Sequence, residues 1–520
     1  MSAVVHPPVG IEPAVVRTPQ GNVRGTVTDG VYVFRGIPYA APPFGPNHLR
    51  PPQPVEAWTG VRDALEFGSE PPQPRMPTTG DAATDLVWDP AVPGEDCLNL
   101  NVWTPALGTG PRLPVLVWIP GGMFEVCSGA SYDGSRFARD GVVCVTINYR
   151  VGPEGFLFTD DGTPNRGLLD QIAALEWVRD SIEAFGGDAT NVTIAGESAG
   201  AMSVGTLLSM PRAEGLFRRA IAQSGAAHRV IDTATARKVT SELAERLGIE
   251  PTGGTLAVVP WERLLAASME LKGDLMAHPD PERWGLDVVA SALPWQPVID
   301  GAVVPERPID RIAAGAGGDV DVIVGSNTED WRMFRVLGGD LDRVTDEVLT
   351  GPVAVHGFLA AAAYGLPVDE GLAAYRAMYP GASPGVLLAA IETDWWCRVP
   401  GLRLAEAHVG GRAGTWMYEF AWPSPAFGGL LGSCHALELP FAFDTLDLGP
   451  RQMLGGLLGP EPPQILATEM HGAWVRFAAT GDPGWPTYDL QRRATMRFDV
   501  VSVVVDDPRA AERALWHARL

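Results

Sequence analysis

The stretch NVTIAGESAGAMSVGTLL, residues 191 to 208, decides how this chain is read. It begins as an apolar, β-branched run, turns at Gly196-Glu197-Ser198-Ala199-Gly200, and continues into small residues of helical character. A G-x-S-x-G turn between a strand and a helix is the setting of a nucleophile elbow. The serine is forced there into a strained backbone conformation, and only small flanking residues let strand and helix pass closely, hence the two glycines. The pentapeptide alone is weak in a chain with 60 glycines, so its context has to decide. Gly381-Ala382-Ser383-Pro384-Gly385 fits the same pattern but follows AAYRAMYP, which lacks strand character. Pro384 also has no N–H to offer an oxyanion. Ser198 is therefore the expected nucleophile, and Ser383 is an ordinary serine.

Outward from the elbow, short apolar runs alternate with helical segments. LPVLVWI (113 to 119), VVCVTINY (142 to 149), RAIAQSG (219 to 225), DVIVG (321 to 325) and TWMYEF (415 to 420) have the composition of buried strands. LLDQIAALEWVRDSI (168 to 182) carries apolar residues at helical spacing. Such alternation predicts an α/β fold with a large, mostly parallel sheet covered by helices on both faces. Functional loops then belong at the carboxyl ends of the strands. Near the start, AVVRT, VRGTV and VYVFRG, separated by turn signals, predict antiparallel strands. Two largely helical stretches, about 230 to 290 and 335 to 410, have no strong strand signal and interrupt the alternation. We expect a single catalytic domain over residues 1 to 520, with these stretches inserted as a helical lid that shapes a pocket.

A serine nucleophile needs a base, and an acid to orient that base, in the chain order serine, acid, histidine. Beyond any plausible acid, His408 and His471 lie in helical segments, His356 in an insertion and His517 near the chain end. His435 differs, because GSCHALELPFAF puts it on a short polar loop after the strand TWMYEF. A neutral imidazole with a pKa near 6.5 can take the serine proton and return it to a leaving group. For the acid, DVIVGSNTEDW offers Glu329 and Asp330 just beyond a buried strand, and the residues alone leave the choice between them open. The loop WIPGGMF (118 to 124) follows another strand. With the residue after the nucleophile it supplies three expected oxyanion donors, the N–H groups of Gly122, Met123 and Ala199.

The formal charge is 39 minus 62, or −23, which disfavours nucleic acid as a partner. Five cysteines without a C-x-x-C spacing indicate neither a disulfide framework nor a metal site. The start MSAVVHPPVG has no signal-peptide pattern, and no run of about 18 apolar residues occurs. Together these predict a cytoplasmic chain without a membrane partner. Oligomeric state is not written in the sequence.

The segments FRGIPYAAPPFGPNHLRPP, GEDCLNLNVWTP, NRGLLDQIAALEWVRDSIEAFGGDATNVTIAGESAGA and HALELPFAF together resemble the type-B carboxylesterase family, cholinesterases and bacterial p-nitrobenzyl esterases included. The resemblance runs from about Val16 to about Tyr488. It implies an α/β-hydrolase with a deep gorge that hydrolyses small-molecule carboxylic esters through an acyl-enzyme, with no cofactor. The family's serine falls on Ser198, its histidine on His435 and its acid on Asp330, with Glu329 in a supporting position; Glu197, beside the serine, is a second supporting carboxylate. Three departures accompany it. The acid is Asp where the family usually has Glu, FGSEPPQ lacks a cysteine that many members pair with the one matching Cys97, and Met123 stands where Gly or Ala is usual. Amides, carbamates or lactones are alternative substrates for the same triad, and a non-catalytic cholinesterase-like binding protein is the remaining alternative.

Overall fold

In the computed structural model, residues 14–75, 90–108, 110–449 and 454–517 are described; the start MSAVVHPPVG lies outside them. Among them, thirteen strands form one sheet. They are β1 Ala14–Arg17, β2 Asn22–Thr28, β3 Val31–Pro38, β4 Val61–Asp63, β5 Asn99–Thr104, β6 Leu113–Ile119 and β7 Val143–Ile147. The rest are β8 Gly187–Glu197, β9 Arg219–Gln223, β10 Asp321–Asn327, β11 Thr415–Phe420, β12 Ala494–Phe498 and β13 Val503–Asp506. Their order is β1-β2-β3-β5-β7-β6-β8-β9-β10-β11-β12-β13, with β4 beside β2. Every pairing from β7 to β12 is parallel, whereas β1, β2 and β3 run as the predicted antiparallel start, which β5 extends by a further antiparallel pairing.

The period of two along each strand divides the core. Val115, Val117, Val145, Ile194 and Ala220 face one layer, and Leu116, Trp118, Cys144, Ala195 and Ile221 face the other. On the first face pack the helices Arg166–Ser181 and Ala199–Ser209, and on the second packs Gln464–Thr480. Burial on both faces explains why these strands read as nearly continuous apolar runs. This is the α/β-hydrolase fold.

The two stretches that interrupt the alternation contain helices such as Thr233–Leu247, Trp261–Ala277, Val368–Met378 and Val399–His408. They and their borders also contain strands that the sequence did not announce. Ile231–Asp232 pairs with Val298–Ile299, and Ala354–Val355 with Phe358–Leu359. Two residues are too few for any periodic signal. Tyr375, Leu388 and Ile391 of the second stretch form a separate small core with Trp516 of the last helix, Ala510–His517.

Candidate active site

β8 lies between β6 and β9, and the chain leaves its carboxyl end in the elbow. Ser198 has φ +57° and ψ −124°, a strained conformation for a side chain with a Cβ. Its N–H donates to Gln223 O (2.9 Å), and its carbonyl accepts from Met202 N (2.9 Å) at the start of the following helix. A Cβ on Gly200 would stand 2.0 Å from Ile119 O, and one on Gly196 would stand 2.5 Å from the Gly200 carbonyl carbon. Both glycines are thus required by close passage, as the sequence suggested. Ser383 instead caps the helix Pro384–Thr393, its side chain accepting from Val386 N.

The loop after β6 passes directly over this turn. A Cβ on Gly121 would lie 2.6 Å from Glu197 O and 3.2 Å from Ser198 Cβ. Gly122, Met123 and Phe124 follow with φ of +116°, +59° and +58°, and Gly122 O accepts from Glu125 N and Val126 N. This tight curl leaves the N–H groups of Gly122 and Met123 without an acceptor among the described residues. The N–H of Ala199 is the first of its helix and has no intrahelical acceptor either. Met123 and Ala199 line the same cavity as Ser198, and Gly122 is the residue between Met123 and the Gly121 that crosses the elbow.

His435 and the acidic pair meet on the other side. His435 Nδ1 is 2.8 Å from Asp330 Oδ1, and His435 N donates to Asp330 O. The second carboxylate oxygen of Asp330 accepts from Asn327 N (3.1 Å). Glu329 turns away, accepting from Ser433 N (2.9 Å) and pairing with Arg332 (3.0 Å). It braces the loop that carries His435 without touching the ring. His408 and His471 are packing residues, their Nδ1 atoms 2.7 Å from Thr415 Oγ1 and 2.8 Å from Ala442 O, and His356 is exposed.

Among the described residues, Ser198 Oγ has no hydrogen-bond partner, and His435 Nε2 lies 3.1 Å from Glu197 Oε1. Such resting contacts commonly tighten only when substrate is bound. Glu197, Asp330, His435 and Glu438 are all buried. Burial opposes the charge on His435, but Glu197 and then Asp330 outweigh it and raise its pKa to about 9. Burial also raises Glu197 to about 8, against the pull of His435 and with help from Glu438 and Asp330. Glu438, missed by the sequence reading, accepts from Asn327 Nδ2 (2.6 Å) and Gln223 Nε2 (3.1 Å). Its one sequence signal is a carboxylate inside the apolar run ALELPFAF.

Ser198, Ala199 and Met123 line one side of a largely apolar cavity of about 350 Å³, facing Trp331, Trp396 and His435. A larger depression of about 630 Å³ lies around Ser209 and Arg311, at the other end of the elbow helix and away from all of these groups.

Residues 12–516 match the model of the carboxylesterase family. The chain belongs to that family. The serine carboxylesterase class that the sequence suggested stands with it, and its chemistry is ester hydrolysis. The chain is 36% identical to a para-nitrobenzyl esterase of Bacillus subtilis (strain 168), covering 96% of this chain and 97% of that one. It is 37% identical to a phenmedipham hydrolase of Pseudarthrobacter oxydans, covering 97% of each. Among solved structures, a Geobacillus stearothermophilus carboxylesterase superposes with a TM-score of 0.80 at 36% identity, over 96% of this chain and 99% of that one. No helix among the described residues is long and apolar enough to cross a membrane.

Proposed function

We propose that this protein cleaves small carboxylic esters through an acyl-enzyme on Ser198, with His435 as base and Asp330 as the acid that orients it. The 2.8 Å contact between His435 Nδ1 and Asp330 Oδ1 carries this reading. It fixes the tautomer with the Nε2 lone pair toward the cavity, where a base must act. Ser198 Oγ attacks the ester carbonyl as its proton passes to Nε2. The carbonyl oxygen, now an anion, is met by the N–H groups of Gly122, Met123 and Ala199, which need no reorganisation. Collapse expels the alcohol, which takes the proton from Nε2, and water then repeats the cycle to release the acid.

On this reading the whole chain is one catalytic domain, and the helical stretches about 230 to 290 and 335 to 410 roof the pocket. Met276 and Ala290 from the first and Phe358 and Trp396 from the second line the cavity, which supports that role. All five cysteines are buried thiols, which supports a reducing, cytoplasmic setting.

Ser198→Ala tests the assignment. Turnover of p-nitrophenyl acetate should fall by about three to six orders of magnitude, with the fold intact by circular dichroism. In the unaltered protein, mass spectrometry after rapid quenching should find the acyl group on Ser198. Near-normal turnover by the variant, or an acyl group on Ser383, overturns the proposal. Matched amide, carbamate and lactone substrates separate ester cleavage from the alternatives.

A further inference from the structure

Ester hydrolysis gives Cys397 no task, yet its thiol borders the proposed triad. It sits in the π-helical turn Asp394–Arg398; such turns are rare and concentrate at functional sites. Cys397 and His435 both line the cavity, so a small ion that enters reaches both. One ligand atom from each of Asp330, Cys397 and His435 lies within 4.8 Å of the others. Among the described residues this is the only such grouping of histidine, cysteine and carboxylate side chains. Cys434, although next to His435 in sequence, is not part of it.

Sulfur, imidazole nitrogen and carboxylate oxygen form a donor set for zinc-like cations, which bind three protein ligands and leave a fourth position open. Bond lengths of about 2.0–2.3 Å place tetrahedral ligand atoms roughly 3.3–3.6 Å apart, a span that fits within the 4.8 Å grouping once the 2.8 Å contact between His435 and Asp330 opens to admit the ion. We propose that the wall of this cavity contains an inhibitory site for thiophilic divalent cations, with Zn²⁺ and Cd²⁺ as its type, ligated by Cys397 and His435 of the lining and by the fully buried Asp330 behind them. This rests on the triad reading above for its consequence, though not for its geometry.

The cation takes a thiolate from Cys397, whose proton passes to solvent, together with one imidazole lone pair and one carboxylate oxygen. If it binds Nδ1, that nitrogen also gives its proton to solvent, and Asp330 loses the bond that orients the ring. If it binds Nε2, no lone pair remains for the Ser198 proton. Either way the base is withdrawn. Mg²⁺ prefers octahedral oxygen ligands and is not held.

Cd²⁺ titration tests the site, read by the ultraviolet thiolate-to-cadmium band and, separately, by hydrolysis of p-nitrophenyl acetate. The unaltered protein should bind one Cd²⁺ with that band and lose activity, EDTA should restore it, and Mg²⁺ should have no effect. Removing one ligand in Cys397→Ala or in the size-matched Cys397→Ser should weaken inhibition about 100-fold or more, since even outer-shell partners are worth 10–100-fold. Cys434→Ala should keep both the band and the inhibition. Ser198→Ala keeps all three ligands and should give the band without turnover, so activity in that variant would count against the triad and not against the cation site. Absence of the band in the unaltered protein, or unweakened inhibition in both Cys397 variants, overturns the proposal.

Discussion

Nε2 of His435 stands 3.1 Å from Oε1 of Glu197, while Nδ1 of the same ring stands 2.8 Å from Oδ1 of Asp330. The imidazole is thus held between two buried carboxylates, and each favours its charged form. A base must be neutral to act. Asp330 repays its share by orienting the ring, but Glu197 occupies the edge where the serine proton has to arrive.

That arrangement sets the pH dependence. With the pKa of His435 raised to about 9, the neutral ring is lost as pH falls through that value, so kcat/KM should decline on the acid side of it. Glu197 is the largest upward influence on the ring, and removing its charge lets the midpoint fall toward the ordinary histidine value. In Glu197→Gln the acid limb of the kcat/KM profile should move down by about one unit or more. Profiles measured with a neutral ester, whose own ionisation cannot intrude, check this. An unmoved limb, or one shifted upward, contradicts the role given to Glu197.

The two neighbouring acids should separate sharply. Asp330→Asn presents an amide to Nδ1 and favours the wrong tautomer, which should lower kcat by about four orders of magnitude. Glu329 braces Ser433 and a partly exposed Arg332, and partly exposed pairs contribute about 1 kcal/mol or less, so Glu329→Gln should cost no more than roughly tenfold. Steady-state kinetics on both variants decide the matter. If the glutamine variant proves the more damaged, the roles must be exchanged.

These predictions stand on features of unequal legibility. TWMYEF was readable to the residue as Thr415–Phe420, because a strand buried on both faces reads as a mainly apolar and aromatic run. β8 begins four residues before its apolar run, at Gly187, since Gly187 to Thr190 carry no such signature. Ser198 was legible because the elbow is local, with strand, turn and helix contiguous in sequence. The acid was not legible from the residues alone. Asp330 and Glu329 differ only in which way the chain turns past β10, and that is set by contacts with residues more than 100 positions away. Asn327, Gln223 and Glu438 escaped for the same reason, as their bonds join different strands and loops through space.

Met123 is the departure with a mechanical consequence, and the structure gives it two. Its φ of +59° lies in the left-handed region, which costs a residue with a Cβ about 1–2 kcal/mol. Its side chain is half-buried, packs against the core and lines the cavity beside Ser198. The N–H donor survives any substitution except proline, so Met123→Gly keeps the oxyanion contact, relieves the backbone and removes a thioether next to the reacting carbon. If that thioether crowds the site, a tertiary alcohol group, which projects three methyls there, suffers more than a primary one. Hydrolysis of tert-butyl acetate should then rise in Met123→Gly by about tenfold or more relative to butyl acetate, a difference of about 1.4 kcal/mol in transition-state energy. Methionine is adaptable enough to fold into the wall; in that case both esters respond alike, and equal changes in kcat/KM for the two would reject crowding as the role of this residue.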